Sequence, residues 1–234
     1  MTRPEPISRR NRPAKAALSR TAIVDAALRL LDADGLDAVS MRRVAQALDT
    51  GPASLYVYVA NREELLALVY DRIIGEVDLS EHDGVDWRER LTTLVTDTIE
   101  VLGSRRGIAT VGLANVPTDP HALAHSEKVL ELLRRGGIGE QARAWAVDLI
   151  GLYISAAATE QSLYHEKGAA WQTEHGVKQR LRHTFAGLPA DRYPNLRALN
   201  GPLVTGSGPD RTGWSIQVLL NGILATSATL PDAG

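Results

Sequence analysis

Two short helices joined by a three-residue turn must cross steeply, and residues 40–66, SMRRVAQALDTGPASLYVYVANREELL, are punctuated for that arrangement. Ser40 suits an N-cap, with Val39 and Val44 spaced for a hydrophobic staple. Val44, Ala45 and Leu48 then carry a helix of about nine residues. Asp49-Thr50-Gly51 makes the turn, Asp being one of the few non-glycine residues that tolerate a left-handed backbone. Pro52 fits a first helical position, where its missing N–H costs nothing, and Leu55, Tyr56 and Val59 continue a third short helix. Asn61-Arg62-Glu63-Glu64 is an N-x-x-E capping box opening a longer helix through Leu65, Leu66, Val69, Tyr70 and Ile73. The pattern is a helix-turn-helix.

Upstream, Ser19 caps a first helix carrying Ile23, Ala26, Ala27, Leu30 and Leu31, and Gly35-Leu36 supplies an αL stop. Before it lies a Pro- and Arg-rich arm with few large apolar side chains, expected to be disordered in isolation. Residues 1–20 hold Arg3, Arg9, Arg10, Arg12, Lys15 and Arg20 against Glu5 alone, a net +5. The whole chain carries −2, so the other 214 residues carry −7. A basic arm on an acidic body is the footprint of a polyanion partner.

Downstream, the acidic stretch from Asp78 to Asp86 reads as a domain boundary, and every element after it reads as helical. The helices expected are 87–102, 108–116, 120–135, 140–167, 171–185, 190–199 and 214–230, with 201–213 a Gly/Pro-rich loop. The 140–167 segment is apolar on more than one side, which predicts burial over most of its circumference. No strand or repeat emerges. The fold class is therefore all-α: an N-terminal three-helix helix-turn-helix domain and a larger C-terminal bundle. The boundaries are 1–18 for the arm, 19–77 for the DNA-binding domain and 78–234 for the C-terminal domain.

In a helix-turn-helix the second helix enters the major groove and the first spans the backbone. The groove-facing helix begins at Pro52, with Ser54, Tyr56, Val57 and Tyr58 outward and Leu55 and Val59 toward the core. Ser54 can bond a base or phosphate, Val57 can touch a thymine methyl, and tyrosine hydroxyls reach phosphates. Ser40 and the helix start at Met41-Arg42 aim N–H groups and a cation at a phosphate, and Arg62 is a second expected clamp. The arm can follow the backbone or enter the minor groove.

Residues 19–77, and above all 40–66, resemble the DNA-binding domain of the tetracycline-repressor (TetR) family of bacterial regulators. The spacing of the Ala-Gln-x-Leu segment, the Leu-Tyr of the recognition helix and the following Asn-Arg carries that resemblance. A looser one covers most of 87–229, through Trp87-Arg88, Pro117-Thr118, Leu132-Leu133-Arg134, Leu152-Tyr153, and Leu188-Pro189 to Pro194-Asn195-Leu196. The resemblance implies an all-helical homodimeric repressor whose C-terminal domain binds a small molecule and whose last long helices form the dimer interface. It implies DNA contacts at Met41, Arg42, Pro52, Ala53, Ser54, Tyr56, Val57, Tyr58 and Arg62. Asp49 replaces the family's usual glycine, Tyr58 its histidine and Val57 a larger side chain, so the operator preference is this chain's own.

Other chemistries find little support. There is no cysteine, hence no disulfide, thiol nucleophile or thiolate metal site. No apolar run suits a membrane span or signal peptide, so a cytoplasmic location is expected. His121 and His125 stand four apart near Glu127, but Ala122 occupies the position where a zinc protease needs glutamate. No metal, cofactor or catalytic set is expected, and the protein reads as a regulator rather than an enzyme. Arg105-Arg106 and Arg134-Arg135 read as solvated helix ends. An effector pocket between helices would be largely apolar, and the lining candidates are Leu102, Val111, Leu113, Trp145, Leu149, Tyr153, Tyr164 and Trp171. The expected partners are a near-palindromic DNA operator, a small-molecule effector and a second copy of the chain. An activator or ligand-independent regulator is the alternative within this class. A helical enzyme or small-molecule-binding protein with a vestigial DNA-binding domain is the alternative outside it.

Overall fold

A computed structural model describes residues 17–81, 84–114, 118–166 and 174–227, without the side chains of 164–166, 174 and 175. Most of the expected arm, residues 1–16, lies outside them. No strand occurs among the described residues. The helices are α1 (Arg20–Asp34), α2 (Met41–Ala47), α3 (Pro52–Leu55), α4 (Arg62–Ile74), α5 (Trp87–Gly103), α6 (Ala109–Ala114), α7 (Pro120–Arg135), α8 (Glu140–Glu166), α9 (Glu174–Ala186), α10 (Pro194–Ala198) and α11 (Gly208–Ser227).

The first helices start where capping chemistry places them. The Ser19 side chain accepts from the Ala22 N–H at 3.1 Å, and that of Ser40 from Arg43 at 3.3 Å. Asn61 Oδ1 accepts from Glu64 at 2.7 Å, while Glu64 Oε2 reaches back to the Ala60 N–H at 2.6 Å. Helix α1 ends at Gly35, whose φ of +83° is positive as expected but whose ψ of 178° is extended rather than αL. A Cβ there would also lie 3.0 Å from that of Arg106, so glycine serves both the turn and the approach of a second segment.

Helices α1, α2, α3 and α4 enclose one core layer through Ile23, Leu31, Val44, Leu55, Leu65 and Val69. Helix α4 continues out of that layer to pack on α5, α6 and α7. Helices α5 and α8 form the centre of the second layer, with α6, α7 and α11 around them. The stretch from Asp78 to Glu81, between the two layers, is held in place. Buried Arg90 donates to the Asp78 carbonyl at 2.6 Å, and Lys128, itself 7% exposed, pairs with Glu81.

Three readings are corrected. Helix α8 is not buried on most sides: Trp145, Leu149, Leu152 and Leu163 form an exposed seam along it, and Trp214 and Val218 continue an apolar surface on α11, which packs beside it. Helix α11 starts at Gly208 inside the expected loop, because Ser207 and Asp210 make a reciprocal capping box of 3.2 and 2.8 Å. Arg105 is not a solvated helix end. Its guanidinium, with the side chain 16% exposed, bonds Asp32 at 3.1 Å and both Glu76 oxygens at 2.9 Å. Together with the Leu36 N–H donating to the Arg106 carbonyl at 2.9 Å, this ties the α5–α6 turn to the base of the helix-turn-helix.

Candidate nucleic-acid interface and effector cavity

The turn between α2 and α3 contains Asp49 at φ +49°, the one non-glycine residue with positive φ among those described. Pro52 opens α3, which is a single helical turn continued by a bonded turn through Tyr58. Leu55 and Val59 are fully buried, which aims the opposite face outward. Pro52, Ala53 and Ser54 are exposed, Tyr56 is 54% exposed and Val57 80%. Arg42 is exposed at the start of α2 and makes no hydrogen bond or ion pair among the described residues.

Other expected contacts lie elsewhere. Met41 is 8% exposed and packs in the core, so only its backbone faces the surface at the start of α2. Tyr58 is half-buried against the core. Ser40 is occupied in capping α2. Arg62, expected at a phosphate, donates instead to the carbonyls of Val39 at 2.7 Å and Leu36 at 3.1 Å, bracing the segment before α2. Arg20, counted with the basic N-terminal charges, bonds the Tyr58 carbonyl at 3.1 Å and Glu64 at 3.0 Å. Arg62 and Arg20 thus hold the recognition unit in position from behind.

Between α4, α5, α7 and α8 lies a cavity of about 70 Å³. Tyr70 and Ile74 of α4 form one wall, Ala122, His125, Ser126 and Val129 of α7 a second, and Val147, Ile150, Gly151 and Ile154 of α8 a third, with Thr98 of α5 between them. None of the expected lining residues with a described side chain is among these. Leu102 and Val111 are ordinary core, Leu113, Trp145 and Leu149 are exposed, and the Tyr153 hydroxyl donates to the Thr212 carbonyl at 3.4 Å. The Tyr164 side chain and Trp171 lie outside the described residues. Tyr70 is the one tyrosine or tryptophan in the described lining, which otherwise joins branched aliphatic side chains with the small Ala122 and Gly151. The cavity's sequence signal is the α7 stripe Ala122, His125, Ser126, Val129, which mixes polar and apolar residues on one helical face.

The polar groups of the cavity are few. His125 Nε2 lies 2.9 Å from Thr98 Oγ1, and burial pushes the imidazole pKa down to about 4. Burial raises the Tyr70 hydroxyl above its ordinary value, opposed by a hydrogen bond with Ser155. His121 is no partner for His125 in metal binding: it packs on Gly75, where an added Cβ would lie 2.8 Å from its Nδ1. Among the described residues no cluster could hold a metal ion, and no helix is long and apolar enough to cross a membrane.

Both parts of the chain are similar to known proteins. Residues 23–69 match the model of bacterial regulatory proteins of the tetR family, and residues 80–227 that of the tetracyclin repressor-like C-terminal domain. An HTH-type transcriptional regulator of Saccharopolyspora erythraea is 31% identical over 225 residues, 96% of this chain and 91% of that protein. The HTH-type transcriptional repressor DrrR1 of Streptomyces coeruleorubidus is 30% identical, covering 92% of this chain and 80% of its own length. The structure of apo ActR from Streptomyces coelicolor is similar with a TM-score of 0.80 and 34% identity, over 92% of this chain and 99% of that one. ActR has also been solved in complex with actinorhodin and with (S)-DNPA. With the two models together spanning the helix-turn-helix and most of the bundle behind it, the chain belongs to the tetR family of bacterial transcriptional regulators.

Proposed function

We propose that the protein is a homodimeric repressor that grips a near-palindromic operator and releases it when a small molecule fills the cavity. Residues 19–77 form its DNA-binding domain, 78–234 its effector and dimerisation domain, and 1–18 a basic arm along the DNA. Ser54, Tyr56 and Val57 read the major groove, with Pro52 and Ala53 against its wall. Arg42 and the backbone N–H groups at Ser40 and Met41 hold a phosphate. Tyr58 and Arg62 position the recognition turn rather than touch a phosphate directly. The exposed seam of α8 and α11 packs on its copy in the partner subunit, and the protein acts in the cytoplasm on chromosomal DNA.

One observation carries this reading: α4 is shared. Its first turn caps and braces the recognition unit through Asn61, Arg62 and Glu64, and its last turns supply Tyr70 and Ile74 to the cavity wall. The cavity, at about 70 Å³, is far below the ~300–1,000 Å³ of a site for a drug-sized ligand. An effector of that size therefore enters only by spreading the walls, and α4 is one of them. Moving α4 in both subunits changes the separation of the recognition helices, which must match one turn of DNA, about 34–36 Å. A swing from 1:99 to 99:1 between the two conformers requires about 5.5 kcal/mol of differential effector affinity.

The test is displacement of protein from operator duplex, read by fluorescence anisotropy, with the two molecules held by ActR as first probes. A molecule that binds the cavity is expected to weaken operator affinity, and the operator to weaken that molecule by the same factor. A cavity-bound molecule that leaves operator affinity unchanged would refute the coupling.

A further inference from the structure

The hydrogen bonds around His125 fix where its proton sits. Thr98 Oγ1 lies 2.6 Å from the Leu94 carbonyl one turn earlier on α5. A carbonyl can only accept, so the single hydroxyl proton of Thr98 points there. The 2.9 Å contact between Thr98 Oγ1 and His125 Nε2 must then be donated by the imidazole. A ring that is neutral and protonated on Nε2 presents a bare lone pair on Nδ1. That atom has no protein hydrogen-bond partner among the described residues, and it is not among their sealed, unpartnered polar atoms. It therefore reaches open space, and the ring lines the cavity.

From this geometry we propose that His125 is the specificity-determining group of the effector site, its Nδ1 accepting a hydrogen bond from a hydroxyl of the effector. The inference rests on the reading of this cavity as the effector site. It assigns the effector to neutral, largely apolar molecules that carry a phenol or alcohol. The surrounding wall is Ile74, Val129, Ile150 and Ile154, which offers apolar contact and no countercharge. Of the other polar groups, the Thr98 proton is taken by Leu94 and the Tyr70 hydroxyl is bonded to Ser155, while Ser126 adds one further hydroxyl to the lining. A molecule with a hydroxyl at Nδ1 satisfies a buried acceptor. One of the same shape without it leaves that acceptor dry, and an ether or carbonyl there sets lone pair against lone pair. The low pKa of the ring, about 4, keeps it in the accepting form throughout the neutral range.

The test uses the full chain with nitrogen-labelled histidine, and phenol and toluene as probes matched in shape. Long-range nitrogen–proton spectra from pH 6 to 8 are expected to place the His125 proton on Nε2, with phenol, and not toluene, shifting Nδ1. Phenol is expected to bind about tenfold more tightly than toluene, and His125→Phe to remove that preference while retaining toluene binding. A proton on Nδ1, no binding of phenol, or an undiminished phenol preference in His125→Phe would each overturn the proposal. The tautomer is read on the unaltered protein, so a variant that fails to fold does not decide the matter. Failure of the effector-site reading looks different: phenol would bind elsewhere and leave the His125 signals unmoved, even with the proton on Nε2.

Discussion

The carboxylate of Asp71, near the end of α4, accepts the backbone N–H of Ala122, in the first turn of α7, at 2.9 Å. Asp119 occupies the N-cap of α7 but makes no capping bond from its side chain, so the helix is capped from another element. The bond is buried, and it fastens the helix that leaves the DNA-binding layer to the rim of the cavity. Asp71→Ala leaves a buried N–H unsatisfied and is expected to cost about 1–3 kcal/mol. Asp71→Asn keeps an acceptor and loses only the charge at a helix start, about 0.3–1 kcal/mol. Urea unfolding of both variants checks this, and equal losses would show that the bond does not hold α7 in place.

Arg42 and Arg62 are expected to separate cleanly. Arg42→Ala removes an exposed cation and should flatten the salt slope of operator binding by about one unit, with the unfolding midpoint unchanged. Arg62→Ala removes donors to two carbonyls and should lower the midpoint instead, leaving the salt slope of the folded fraction as it was. Measuring both quantities for both variants decides between a phosphate clamp and an internal brace.

Acid should destabilise the protein through His125. The folded pKa is about 4 and the ordinary value 6.5, so between these pH values the unfolded chain binds a proton that the folded chain does not. Stability is therefore full above pH 6.5 and falls as the pH drops toward 4, by at most about 3 kcal/mol from this group. Comparing the pH dependence of unfolding in the wild type and His125→Phe isolates the effect, and parallel curves would contradict it.

Leu152 lies midway along the exposed seam of α8, 50% exposed in the single chain. Leu152→Asp adds little cost to a lone subunit and places two carboxylates in an apolar dimer interface. Sedimentation is expected to show a folded monomer, with operator affinity reduced at least a hundredfold. A dimer of unchanged strength would move the interface elsewhere.

Helix starts were legible because capping is local: Ser19, Ser40 and Asn61 each bond within their own first turn. The outward face of α3 was legible too, since burying Leu55 and Val59 leaves no choice for Ser54, Tyr56 and Val57. Apart from the local Ser207–Asp210 box that starts α11 early, what could not be read depends on partners distant in sequence. Arg62 carries the same charge whether it faces DNA or the Val39 carbonyl, and only the approach of the start of α4 to the segment before α2 directs it inward. The lining of the cavity was not legible for a related reason. Space forms where facing helices present small side chains such as Ala122 and Gly151, and no single helix reveals what it faces.

Filling the cavity is expected to move the recognition helices, whatever molecule fills it. Gly151 lines the cavity, and a Cβ added there meets nothing within 4 Å, so Gly151→Leu adds bulk to the wall with little local clash. The chain has no cysteine, so Gln46→Cys on the exposed face of α2 gives one spin label per subunit. The measurement is the label-to-label distance in the dimer, by pulsed electron paramagnetic resonance, with and without Gly151→Leu. A displaced distance distribution and weakened operator binding are expected in a variant whose unfolding midpoint is retained. Identical distributions and identical operator affinity in the two folded proteins would contradict it.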